Sequence, residues 1–240
     1  MLDKIAEEAV TLGITPLPIW PTAVWLDHRD MIIEATEYAD SEAIGLKTTF
    51  PTKLRTIEQP EQSPCRLTLG TSDNGARQLV IEFFADMVVG YQPGLLSFVH
   101  REFKILAIDL GIQLPAISTH HRNEAYDIAR ARHLTTLLAA HVVDSPLSFK
   151  IEPHHDWVRL TCRNYDDRMY ERARVKVAKQ KCAQLNQRTA PGRVFVEWDV
   201  AVTAYWDFYY TNATDTQLRT SLERGTSCIS QLVEQASRFG

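Results

Sequence analysis

Alternation of apolar and polar positions is clearest at two places in the C-terminal half. Over 157–163, Val158, Leu160 and Cys162 point one way while Trp157, Arg159, Thr161 and Arg163 point the other. That period of two is the mark of a half-buried strand. Over 194–206, Val194, Val196, Trp198, Val200, Val202 and Ala204 alternate with Phe195, Glu197, Asp199, Ala201, Thr203 and Tyr205, the longest strand pattern in the chain. Between the two, residues 166–188 carry helical spacing. Asp166 and Asp167 open that run and lysines close it, the charge order a helix dipole favours. Phe149–Glu152 and the 157–163 strand flank Pro153–Asp156 as a hairpin. A last helix opens at Asp215 or Thr216 and runs through Leu218, Leu222, Ile229, Leu232 and Val233, bent near Gly225. The C-terminal region therefore reads β-β-α-β-α. A right-handed crossover through the middle helix places 194–206 parallel to 157–163 in one mixed sheet.

The N-terminal half is read the same way. Residues 2–12 predict an amphipathic helix stopped by Gly13. Pro16, Pro18 and Pro21 then hold the chain extended and remove amide donors that a recognition helix needs, so a helix-turn-helix is rejected although Ala9 and Gly13 are suitably spaced. Asp27 caps a helix over 28–44 that buries Met31, Ile32, Ala35, Tyr38 and Ala39. Residues 51–64 hold three prolines and read as a linker or a long surface loop. Two strands, 65–70 and 77–84, flank a turn in which Asn74-Gly75 tolerates positive φ. Helices follow over 95–110, with Gly111 as its stop, and over 119–143. The fold class is α+β (mixed α/β): a mixed sheet of about five strands flanked by helices. The expected organisation is a helical N-terminal region over 1–62 and a mixed α/β domain over 63–240, with a single domain as the equal alternative.

Composition adds bounds. A hydrophobic share of 45% and a charged share of 23% are globular values with material for a core. No apolar run reaches 18 residues, so no membrane span is expected. The N-terminus lacks the apolar stretch of a signal peptide. Cys65, Cys162, Cys182 and Cys228 form no CxxC pair, which leaves them as reduced core thiols of a cytoplasmic protein.

Charge changes the picture most. Residues 157–193 hold ten Lys and Arg against three Asp and Glu, a surplus of +7 that leaves −11 for the rest of a chain at −4. A basic island on an acidic protein points to an anionic partner. At 100° per residue, Arg168, Arg172, Lys176 and Lys179 share one helix sector. Arg159 and Arg163 extend that path along the strand, and Trp157 or Tyr165 is placed to stack on a base. Should Glu197 and Asp199 neighbour the arginines across the sheet, that stretch of the basic surface is neutralised within the protein.

Other chemistry is weakly signalled. His155-Asp156 resembles the central dipeptide of HD-type phosphohydrolases, where the pair sits on a helix; here His154, His155 and Asp156 lie in a tight turn. His120, His121 and Glu124, and His141 with Asp144, lack the HExxH pattern. Glu197 and Asp199 share a strand face, with Asp207 continuing the row, as a divalent-metal site or any solvated sheet face does. There is no nucleophile elbow, P-loop or dinucleotide fingerprint, and no cofactor is expected. The sequence favours a non-catalytic nucleic-acid-binding protein or ribonucleoprotein subunit, with RNA and DNA undistinguished. Its contacts are Arg159, Arg163, Arg168, Arg172, Lys176, Lys179 and Trp157. The first alternative is an assembly subunit docking an acidic protein partner, with the 205–210 aromatics as its hot spot. The second is a metal-dependent hydrolase or nuclease.

Overall fold

A computed structural model describes the chain except for residues 21–22, 29–30, 73, 113, 115–133, 135, 137–146, 155, 166–171, 189–190 and 239–240; of residues 17–20, 27, 28, 172 and 188 it describes the backbone only. The expected helix over 119–143, apart from Leu134 and Thr136, falls outside the described residues, as do His120, His121, Glu124, His141, Asp144, His155 and Arg168. The chain divides into two compact units, Met1–His121 and Arg122–Gly240. Each holds one antiparallel sheet with helices, so the class is α+β. No described helix is long and apolar enough to cross a membrane.

In the first unit, α1 (Leu2–Thr11) is followed by β1 (Thr15–Trp20), β2 (Ala23–His28), β3 (Met31–Tyr38), β4 (Ala43–Pro51), β5 (Arg66–Thr71), β6 (Arg77–Asp86) and α2 (Leu95–Asp109). The six strands lie in the order β1-β2-β3-β4-β6-β5. Several local signals act as expected. Gly13, Gly75 and Gly111 all have positive φ, at the end of α1, in the β5–β6 turn and after α2. The helix expected over 28–44 does not form. Met31, Ile33 and Ala35 are buried and Ile32 is exposed, a period of two, and β2 and β4 flank the segment on both sides. Cross-strand pairing of a β-branched stretch outweighs a helical spacing that rests on the same few residues. The N-terminal 62 residues therefore form one α-helix and four strands, not a helical region. Nor does the boundary between the two units fall in residues 51–64. Ser63, Pro64 and Cys65 are buried, and the Gln59 side chain bonds the Leu67 backbone.

In the second unit, β7 (Ser148–Pro153), β8 (Trp157–Tyr165), α3 (Arg172–Arg188), β9 (Arg193–Glu197), β10 (Ala201–Tyr209) and α4 (Asp215–Ser237) follow in order. The sheet runs β7-β8-β10-β9, antiparallel throughout. This replaces the expected parallel crossover. The long pattern over 194–206 is two strands joined by a turn at Trp198–Val200. Trp198 and Asp199 both take positive φ, 48° and 59°, and the Val200 N–H donates to the Glu197 carbonyl at 3.1 Å. Three loop residues leave the alternation in phase, since Val196 pairs with Val202 and Val194 with Ala204. The hairpin therefore reads as one uninterrupted strand. Helix α4 starts at Thr214, whose hydroxyl accepts from the Gln217 N–H while the Gln217 side chain accepts from the Thr214 N–H, a reciprocal cap. It continues through Gly225.

One face of this sheet forms the core. Val158, Leu160, Cys162, Val202, Ala204 and Trp206 pack with Val175, Ala178 and Cys182 of α3 and with Leu222, Ile229 and Val233 of α4. Burial pushes the Cys162 thiol up to about 12 and the Cys182 thiol up to about 11. In the unfolded chain both titrate near 9, so above that pH the unfolded state loses protons that the folded state keeps. Their contribution is complete below pH 9 and is lost as pH rises toward 12. We expect urea midpoints to fall steadily from about pH 9 to about pH 11. A C162A/C182A variant, less stable at neutral pH, should show a flatter alkaline decline.

Candidate functional site

The other face of the same sheet carries the strand half of the expected basic path, and it is a network of internal pairs. Arg159 and Asp207 face each other across β8 and β10. The guanidinium donates twice to that carboxylate, Nε to Oδ1 and Nη2 to Oδ2, each at 2.8 Å. Arg193 of β9 donates to the same Oδ2 at 2.6 Å. The Arg159 guanidinium also lies over the rings of Trp157 at 5.1 Å and Tyr205 at 4.4 Å. Burial works against its charge, but the hydrogen bonds and charge of Asp207 outweigh burial and hold the group above its ordinary range. Both Arg159 and Asp207 are buried. Trp157 is buried as well, at 4% exposure, with the His154 ring stacked on it at 3.7 Å.

Arg163 is spent in a second pair. It reaches over Thr203 of β10 to Glu197 of β9, with Nη2 donating to Oε1 at 2.8 Å. The Thr203 hydroxyl donates to the other oxygen at 2.7 Å. The condition set by the sequence is thus met on the strands: acids lie beside the arginines. For Arg159 the acid is Asp207, which continues the row of Glu197 and Asp199 along the chain.

The helix half is different. α3 carries six Lys and Arg over 17 residues and no Asp or Glu. Val175, Ala178 and Cys182 turn its apolar side into the core, and Lys176 and Lys179 lie exposed one turn apart. Lys179 meets Asp199 at 2.7 Å with both side chains more than half exposed, a pair worth at most about 1 kcal/mol. Lys176 has no ion-pair partner among the described residues. Arg172 stands four residues before Lys176 on the same helix row, and Arg168 lies outside the described residues. The expected path of six cations and a tryptophan is therefore divided. Lys176, Lys179 and the Arg172 position belong to one helix surface; Arg159, Arg163 and Trp157 belong to the internal network.

One aromatic residue that the sequence did not single out, Trp198, stands at this end of the sheet near Tyr165, the second stacking residue it offered. Trp198 is 78% exposed at the β9–β10 turn, beside the Asp199 that Lys179 contacts. Tyr165 is 61% exposed at the end of β8 and pairs with Ala201, the first residue after the turn. Positive φ at a bulky residue costs about 1 to 2 kcal/mol, so the fold holds an exposed indole in a strained turn. Asp199 was the available signal, since Asp tolerates the left-handed conformation of a tight hairpin turn.

The residues of the alternative readings are placed as follows. The 205–210 aromatics form no surface patch: Trp206, Phe208, Tyr209 and Tyr210 are buried. Glu197 is bound to Arg163 and Thr203, and Asp199 sits in the turn instead of sharing a strand face with it. Asp156 accepts from the Thr211 hydroxyl at 2.6 Å. Among the described residues no group of three His, Cys, Asp or Glu side chains is placed to hold a metal ion. Compared with family models, curated proteins and solved structures, the chain matches none.

Proposed function

We propose that the chain is a non-catalytic nucleic-acid-binding protein that takes single-stranded RNA or DNA on α3 and the adjoining hairpin turn. The observation that carries this reading is an acid-free cationic helix with an exposed tryptophan at its side. Lys176, Lys179 and Arg172 supply phosphate contacts. Trp198, with Tyr165, supplies a stacking surface that accepts any base. A phosphate displaces Asp199 from Lys179 at little cost, because that pair is solvated. Three phosphate contacts on a single strand correspond to a log–log salt slope of about −2.

Two variants test the assignment. Trp198→Ala should weaken binding by about 1 to 3 kcal/mol, the usual value of one stacked base, and leave the salt slope unchanged. Replacing Arg172 and Lys176 together with Glu should abolish binding at moderate salt while circular dichroism and the unfolding midpoint stay near wild type. Binding measured by fluorescence anisotropy that ignores both changes would contradict this site.

A further inference from the structure

The four outer edges of the two sheets are treated unequally. β1 carries Pro16 and Pro18, which remove amide donors from an edge strand. On β5, the Gln59 amide accepts from the Leu67 N–H at 3.0 Å and donates to the Leu67 carbonyl. On β9, Asn186 does the same to Val194, at 2.8 and 2.7 Å. A side-chain amide thus sits in each of those edges and interrupts an incoming strand. β7 has no such plug among the described residues. The His154 N–H donates to the Trp157 carbonyl at 2.8 Å, which fixes the phase of the β7–β8 ladder. His154, Glu152, Lys150 and Ser148 bond inward to β8, and Phe149, Ile151 and Pro153 turn their backbone groups outward. No described strand pairs with them on that side.

We infer that β7 pairs with β7 of a second copy of this chain, antiparallel, about a two-fold axis at Ile151. The sequence of the strand selects both the partner and the register. With Ile151 opposite its own counterpart, Lys150 stands opposite the second copy's Glu152, and Glu152 opposite the second copy's Lys150. Both charge pairs share one face. Phe149 and Ile151 continue the apolar face that in each copy packs on the core. Each Ile151 N–H donates to the other Ile151 carbonyl, and each Phe149 N–H to the opposing Pro153 carbonyl. Pro153 lacks an N–H, so each Phe149–Pro153 pair makes one bond where two other residues would make two. Lys150 already meets Glu152 of its own strand at 2.6 Å in solvent, so the pairing exchanges one such contact for another at little cost. The two sheets join into one continuous sheet, and the open edge of β7 is closed. Four backbone hydrogen bonds and two solvated ion pairs make a weak interface, with a dissociation constant on the order of micromolar.

Sedimentation velocity of the full chain over a range of concentrations tests this. The expected species at high concentration has twice the 27.3 kDa chain mass. Lys150→Glu places like charges opposite each other twice and should weaken association about tenfold. The double variant K150E/E152K restores the complementarity and should restore the dimer. Ile151→Pro removes an outward N–H that the β7–β8 ladder does not use and should abolish dimers. A wild-type chain that stays monomeric overturns the proposal, including the case in which β7 takes an extended segment of a different protein. A dimer that survives both K150E and I151P overturns it equally.

Discussion

Asp207→Ala is expected to destabilise the second unit by about 3 to 5 kcal/mol, the usual cost of stripping one partner from a buried ion pair. Asp207 lies between Arg159 and Arg193 and binds both at 2.6 to 2.8 Å. Its removal takes from both cations the carboxylate they share across the strands. The opposite truncation is milder. Arg159→Met keeps Asp207 paired with Arg193 and fills much of the vacated space, so the loss should be well under half as large. Urea unfolding followed at the tryptophans measures both. Equal losses in the two variants would mean that the three side chains do not act as a unit. Removing these charges should alter nucleic-acid affinity little in any variant that remains folded, because Arg159 and Arg193 are already satisfied within the protein.

Gly225→Val is expected to cost about 3 kcal/mol, at the upper end of what overpacking a core usually costs. The sign is opposite to that of an ordinary helix glycine, whose replacement by alanine gains about 1 kcal/mol. A Cβ at this position would lie 2.8 and 3.0 Å from Trp206 and 3.1 Å from Leu160. The indole of Trp206 is buried in the core with Leu222 and Ile229 of α4. The steric loss therefore exceeds the gain in helix propensity. A double-mutant cycle with Trp206→Leu should show strong favourable coupling, since the smaller side chain vacates the space the valine needs. Additive losses would place the strain elsewhere.

The elements that were legible in the sequence are those with local start and stop signals. α1 ends at Gly13, α2 at Gly111, and the β5–β6 hairpin turns at Asn74-Gly75; each signal concerns a residue's own backbone. Three features were not legible for a common reason. The helix expected over 28–44 is strand because of neighbours on either side. The strand expected over 194–206 is a hairpin because an odd loop keeps even residues facing even ones. The expected solvated face of β8 is internal because Asp207 and Glu197, 48 and 34 residues farther on, arrive beside Arg159 and Arg163. Counting charges located the basic helix but was blind to which cations were already matched. The turn that exposes Trp198 was hidden by the same in-phase alternation that made it look like a strand residue.

Whether α3 and Trp198 form a nucleic-acid surface is decided by fluorescence anisotropy of a labelled single-stranded RNA, with single-stranded and duplex DNA alongside, titrated at several salt concentrations. The expected result is binding to single strands whose log affinity falls with log salt at a slope of about −2. Quenching of tryptophan fluorescence should accompany it in the wild type and be missing from the Trp198→Ala variant. No binding at low salt, or binding with neither the slope nor the quenching, would contradict the assignment of this surface.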